Sequence, residues 1–132
     1  LAGRVLFTGR INDMGPFYHA CDVCCVPSLS ESFGRAAIEC FATRTPVVVT
    51  SVGGLKEIVR DGSNGLLVQY GDEMALADAI VSLLTDSQRA NGLVEQAVLE
   101  AKERYTESVY FERIATVIDE ALALSKSHSE KS

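Results

Sequence analysis

Val23-Cys24-Cys25-Val26-Pro27-Ser28-Leu29-Ser30-Glu31-Ser32-Phe33-Gly34-Arg35-Ala36-Ala37-Ile38-Glu39 runs from an apolar stretch, through a polar loop, into a helix. Val23–Val26 reads as a short strand ended by Pro27, and Ser28–Ser32 as a loop. From about Ser32 to Thr43, the residues Phe33, Ala36, Ala37, Cys40 and Phe41 recur at i, i+3, i+4, i+7 and i+8. That spacing makes one apolar helix face. A strand that feeds a helix in this way is the repeating unit of a parallel sheet.

The same alternation extends outward. Upstream, Val5–Thr8 reads as a buried strand closed by Gly9, and Pro16–Ala20 as a short helix with proline in its first turn. Downstream, Pro46–Thr50 is β-branched and almost wholly apolar, as expected of a strand covered on both faces. Gly53-Gly54 breaks the chain, and Leu55–Val59 is a short helix. Asp61–Gly65 is a turn, and Leu66–Val68 is a fourth strand.

Three helices follow. Asp72 caps the first, with Leu76, Ile80, Leu83 and Leu84 on its apolar side. The second carries Val94, Ala97, Val98 and Ala101. The third carries Phe111, Ile114, Ala115, Ile118, Ala121 and Leu122. The expected fold class is α/β: a partial Rossmann-like parallel sheet with flanking helices. One domain is expected over Leu1–Leu124, with a disordered polar tail over Ser125–Ser132. In such sheets ligands bind beyond the carboxyl ends of the strands. The candidate loops are therefore Gly9–Asp13, Pro27–Gly34 and Ser51–Gly54.

Composition narrows the function. The 132 residues carry 18 acidic and 12 basic side chains, a net charge of −6, which argues against a phosphate backbone as partner. No nucleic acid is expected. No apolar run approaches the roughly 20 residues that cross a bilayer, and no charged-then-apolar leader opens the chain. A cytoplasmic location is expected, with membrane association left open. Cys21-x-x-Cys24 has metal-like spacing, but neither Cys40, His19 nor His128 repeats it. Cys24 and Cys25 read as small hydrophobes of a strand, and free thiols suit a reducing compartment.

The chemistry lies in the loop and helix start. The first turn of a helix offers unpaired N–H groups and a partial positive charge, a place for a diphosphate. Gly34 lets a phosphate approach the backbone. Glu31, in the loop, and Glu39, almost two turns into the helix, are carboxylates able to grip the hydroxyls of a sugar or a ribose. Ser28 and Glu31 equally form an S-x-x-E capping box, and Glu39 equally reads as a solvated helix residue. Spacing alone leaves both readings open.

The motifs in order decide more. Glu31 to Glu39 is similar to the E-x7-E motif of the retaining GT-B glycosyltransferases of family 4, glycosyl transferases group 1. Asp22-Val23 through Pro27-Ser28 and Glu31-Ser32-Phe33-Gly34 resemble the strand and elbow of that family. Thr45-Pro46-Val47-Val48 resembles its G-x-P-V-V strand, with Arg44-Thr45 where glycine is common. Val52-Gly53-Gly54 with Glu57-Ile58-Val59, Asp61-Gly62 through Gly65-Leu66-Leu67-Val68, and Gly71-Asp72 with Leu76-Ala77 resemble the segments that follow. Together they cover Val5 to Leu84.

The resemblance implies the C-terminal, donor-binding half of a GT-B fold. It implies Glu31 as the catalytic-site glutamate facing the donor sugar, and Glu39 as the residue holding the nucleotide ribose. Ser32, Phe33 and Gly34 would hold the donor phosphates, Arg10 and Ile11 would lie beside the base, and Gly53-Gly54 would border the site. The implied reaction moves a sugar from a nucleoside diphosphate with retention and without a metal or other cofactor, helped by helix dipole and basic side chains.

The family's opening strand, with its G-R-x-x-x-x-K-G segment, and its N-terminal acceptor domain have no counterpart here. The chain opens on Leu1, not Met. The expectation is therefore a fragment, inactive in isolation, that binds a nucleotide sugar and lacks its acceptor domain. A homo-oligomer through an exposed sheet edge at Val5–Thr8 is the further expectation. Two rival readings remain: a non-catalytic, dimerising interaction module, and an epimerase of the same fold. The second is disfavoured by Val52-Gly53-Gly54.

Overall fold

A computed structural model describes residues 3–129, with side chains through residue 120. In chain order the elements are α1 (Gly15–His19), β1 (Cys24–Val26), α2 (Arg35–Ala42), β2 (Val47–Thr50), α3 (Leu55–Ile58), β3 (Leu66–Val68), α4 (Glu73–Thr85), α5 (Ser87–Arg104) and α6 (Glu107–Ser129). The three strands form one parallel sheet in the order β1-β2-β3, with Cys24 opposite Val47 and Val48 opposite Leu66.

β2 is the axis. All four of its residues are buried, as its β-branched sequence requires. Successive side chains alternate between faces. Val47 and Val49 enter a cluster with Ala37, Cys40 and Phe41 of α2, Leu55 and Ile58 of α3, and Ala97 and Ala101 of α5. Val48 enters a second cluster with Leu66 and Val68 of β3, Leu83 of α4, and Ala90 and Leu93 of α5. Ala97 and Ala101 are four apart, and these small side chains let α5 lie close to α2 over the wholly buried Phe41. Asp72 and Asp86 cap α4 and α5, accepting from Ala75 N and Arg89 N at 2.9 Å each.

Four expectations need correction. Val5–Thr8 forms no strand, and Val5, Leu6 and Phe7 are 55%, 84% and 93% exposed. A strand needs a neighbour to receive its N–H and C=O groups, and the sheet ends at β1 on one side and β3 on the other. The sheet edge expected at Val5–Thr8 is therefore absent, and β1 borders the sheet instead.

α2 begins at Arg35 and not near Ser32, because Gly34 sits at φ +93, outside the right-handed helix region. Phe33 consequently leaves the apolar stripe and is 56% exposed. Cys25 is exposed rather than packed, because β1 is a border strand. On α6, Phe111, Ile114 and Ile118 are exposed, as are Tyr110 and Val117. α6 continues to Ser129, into the segment read as a polar tail, and residues 130–132 lie outside the described residues. Among the described residues no helix is long and apolar enough to cross a membrane.

Arg44, in the turn between α2 and β2, has φ +62 and pairs through its guanidinium with Glu95. Left-handed backbone strains any side chain with a Cβ, whereas an ion pair between two exposed groups contributes little. Arg44→Gly is expected to raise stability by about 0.5 kcal/mol. Arg44→Val is expected to lower it by about 1 kcal/mol or more, because the new side chain is β-branched. Urea denaturation of the two variants checks the opposite signs.

Candidate functional site

The loops after β1 and β2 are fastened together. At the end of β2, Thr50 donates its hydroxyl to Ser28 O at 2.7 Å. Gly54 N donates to Glu31 O at 2.9 Å. A Cβ on Gly53 would lie 1.9 Å from Glu31 O. One on Gly54 would lie 2.6 Å from Phe33 O and 2.7 Å from Ser32 O. Gly34 is wedged from the other side, where a Cβ would lie 2.8 Å from Leu55 Cδ2 of α3. These three glycines set the path of Glu31-Ser32-Phe33 across the mouth of α2.

Glu31 turns its own carboxylate into that mouth. Its Oε1 accepts from Gly34 N at 3.2 Å and, more weakly, from Phe33 N at 3.4 Å. The amides at the helix opening are thus aimed at an anion, which here is the side chain of Glu31. The S-x-x-E capping box does not form. Gly34 is the N-cap residue with no side-chain cap, and Ser28 serves Thr50 through its carbonyl.

Glu39 sits deeper on α2. Its Oε1 accepts from Arg35 Nε at 2.9 Å, and its side chain is 34% exposed. Tyr18 of α1 lies beside it. Burial first, and the charge of Glu39 second, push the Tyr18 hydroxyl up to about 12. Because the folded value is raised, the contribution of Tyr18 to stability is complete below about pH 10 and is lost as pH rises through about 12. Glu31 therefore faces the helix mouth, while Glu39 faces α1 and Arg35.

A cavity of 210 Å³ opens at the same junction. Ser32, Phe33 and Gly54 form one wall, and Arg104, Tyr105 and Arg113 another. A neighbouring cavity of 390 Å³ shares Phe33, Arg104, Tyr105 and Arg113. Glu31, Glu39, Gly34 and Gly53 do not line the 210 Å³ cavity, nor do Arg10, which is exposed, and Ile11, which is half-buried in the segment before α1. The structure thus brings Glu31, Ser32, Phe33, Gly34, Gly53 and Gly54 into one junction and sets Glu39, Arg10 and Ile11 apart from its cavity.

Sequence reasoning missed Arg104, Tyr105 and Arg113. Arg104 lies 5.5 Å from the ring centre of Tyr105, and its Nη1 is 3.6 Å from Glu100 Oε2. The one available signal was the i, i+4 spacing of Glu100 and Arg104 at the end of a helix.

Comparison with known proteins adds the context. The sequence model of the family described as glycosyl transferases group 1 matches residues 1–86. The chain is 48% identical over 80 residues to a D-inositol 3-phosphate glycosyltransferase of Corynebacterium urealyticum, covering 61% of this chain and 19% of that protein. It is 38% identical over 122 residues to a phosphatidyl-myo-inositol mannosyltransferase of Mycobacterium leprae, covering 90% of this chain and 32% of that protein. Among solved structures, Anabaena Alr3699/HepE in complex with UDP-glucose superposes with a TM-score of 0.84 at 30% identity, over 91% of this chain and 33% of that one. The chain thus spans a fifth to a third of the length of these proteins. With the parallel sheet, the glycine-built elbow and a family match over most of its length, this chain belongs to the glycosyl transferases group 1 and has the α/β architecture of their GT-B fold.

Proposed function

We propose that this chain is the donor-binding part of a glycosyltransferase that moves a sugar from a nucleoside diphosphate to an acceptor with retention of configuration and without a metal. The observation that carries the reading is the likeness, over 91% of the chain, to a protein crystallised with UDP-glucose. The elbow at Glu31–Gly34 supports it, because the Phe33 and Gly34 amides already donate to an anion, the Glu31 carboxylate. A donor phosphate would replace the Glu31 carboxylate there, and Glu31 would swing out to the hydroxyls of the donor sugar. Glu39 would hold the ribose, Arg10 and Ile11 would flank the base, and Ser32, Phe33, Gly53 and Gly54 would shape the phosphate site. Transfer itself would require an N-terminal acceptor domain.

The test is titration of UDP, UDP-glucose and a GDP-sugar into the labelled chain, followed by amide NMR. Shifts are expected at Glu31, Gly34 and Glu39. Glu39→Gln is expected to weaken nucleotide binding about tenfold, the worth of one charged hydrogen bond. Glu31→Ala empties the helix mouth, so it is expected to keep UDP affinity and to lose the preference for UDP-sugar over UDP. No shift with any nucleotide would sink the reading. Such silence would favour the non-catalytic dimerising module, whose supporting observation is the exposed apolar side of α6, where Tyr110, Phe111, Val117 and Ile118 are each more than half exposed.

A further inference from the structure

We infer that the groove between the start of α2 and the α5–α6 corner binds the phosphate of a lipid, a phosphoryl group carried on an alkyl chain. The groove has a volume of 390 Å³. Phe33 and Ile38 line it from the elbow and α2, and Tyr105 and Tyr110 from the corner. Three guanidinium groups border it: Arg35 of α2, Arg104 at the end of α5 and Arg113 of α6. The chain as a whole is acidic, at −6 with 12 basic residues, so three arginines on one groove set a local positive field against the general one. Of the lining residues Glu107 alone is acidic, and as the first residue of α6 it complements the positive end of that helix.

Arg104 is set for an anion before one arrives. Its guanidinium lies 5.5 Å from the ring centre of Tyr105, and its Nη1 is 3.6 Å from Oε2 of Glu100. Glu100 is 5% exposed, and that oxygen is buried without a hydrogen-bond partner. A buried carboxylate thus holds the cation in place from behind, and the ring supports it on one face. The contact with Glu100 is an ion pair too long for a hydrogen bond, so the N–H groups of Arg104 stay available to a ligand. Among the described residues Arg113 has no carboxylate within ion-pair distance. Arg35 is paired with Glu39 and is 83% exposed, so it contributes least.

The lining selects the ligand. The Thr106 hydroxyl is held by Ser108 and caps Val109 N. Apart from the two tyrosine hydroxyls, the groove therefore offers no free neutral hydrogen-bonding side chain of the kind that reads a sugar or a base. Guanidinium groups grip a phosphate, and exposed aromatic and branched side chains gain by covering an alkyl chain. One ligand meets both demands when its anion and its apolar part are joined. The groove shares Phe33, Arg104, Tyr105 and Arg113 with the 210 Å³ cavity that reaches Ser32 and Gly54 of the elbow, which Glu57 also lines. A lipid phosphate held here stands beside the proposed donor. Its role as the anchor of the acceptor rests on that donor reading; its binding does not.

The experiment titrates hexyl phosphate, inorganic phosphate and hexanol into the labelled full chain and follows the amide shifts. Hexyl phosphate is expected to move the amides of Phe33, Tyr105, Thr106 and Arg113, and to bind at least about tenfold more tightly than phosphate or hexanol. Arg113→Gln, on an exposed part of α6, is expected to weaken hexyl phosphate about tenfold and to leave the response to hexanol unchanged. Arg104→Gln is expected to do the same; if loss of the cation beside Glu100 prevents folding, Arg113→Gln carries the test. An equal response to inorganic phosphate, shifts confined to Glu31 and Gly34 at the helix mouth, or no shift overturns the proposal. Shifts of the groove amides on raising the protein concentration alone also overturn it, by giving the groove to a second copy. UDP in the same sample keeps the two readings apart. Hexyl phosphate shifts without UDP shifts leave the lipid site standing and remove the donor site. With UDP bound, the affinity for hexyl phosphate is expected to hold within about twofold, because donor and acceptor must be held together; mutual exclusion overturns the acceptor role.

Discussion

Gly53→Ala is expected to be the most damaging single methyl group in the chain, lowering stability by about 3 kcal/mol or more and abolishing nucleotide binding. The new Cβ would stand 1.9 Å from Glu31 O, and that atom belongs to backbone, which cannot step aside as a flexible side chain can. The residue would also have to hold φ +43. Relief can come only by pushing the two loops apart, which breaks the bond from Gly54 N to Glu31 O and moves the elbow off the mouth of α2. Gly54→Ala meets two carbonyls at 2.6 and 2.7 Å and is expected to follow it closely. Gly92→Ala, on α5 with nothing within reach of its Cβ, is the control and is expected to be neutral or stabilising. Urea midpoints for the three variants, with a UDP titration of any that fold, read the effect. A fully stable Gly53→Ala variant would mean that the two loops do not touch.

Asn64→Ala is expected to cost about 3 kcal/mol, through hydrogen bonds and not through volume. Asn64 is 1% exposed and its amide is fully engaged. Its Oδ1 accepts from Arg60 N at 2.7 Å, and its Nδ2 donates to Ile58 O and to Glu100 Oε1, each at 3.0 Å. Glu100 is 5% exposed. It keeps Arg60 as a charged partner, while its Oε2 has only Arg104 at 3.6 Å, an ion pair without a hydrogen bond. Alanine would strip a donor from a buried carboxylate, which is the costly side of the hydrogen-bond asymmetry. Asn64→Asp would instead set two carboxylates face to face. Its deficit is expected to shrink as pH falls, since one proton shared between them removes the repulsion. Thermal unfolding at two pH values separates the variants: Asn64→Ala should lose nearly the same amount at both.

Much of this was readable in the order of residues. Val47–Thr50 could only be a strand covered on both sides, and the i, i+3, i+4 pattern through Ala37, Cys40 and Phe41 could only face it. Asp72 was legible as a cap because its carboxylate acts three residues away. Local pattern fails where the outcome depends on a distant neighbour. Val5–Thr8 has the composition of a strand but no ladder to join. Phe33 fits the helical spacing, yet Gly34 turns left-handed before the helix begins. At the site, Glu31 and the paired glycines were legible as a motif. Arg104, Tyr105 and Arg113 were not, because they reach the junction from a helix corner some seventy residues further along the chain.

The sheet order has a kinetic consequence. Each strand pairs with the one immediately before it in the chain, so no pairing must wait for a remote segment to return. Closing these crossovers, which hold α2 and α3, costs less entropy than recruiting a more remote segment would, and it allows the sheet to assemble in the direction of synthesis: β1 with β2 first, β3 next, and α4 and α5 sealing the faces last.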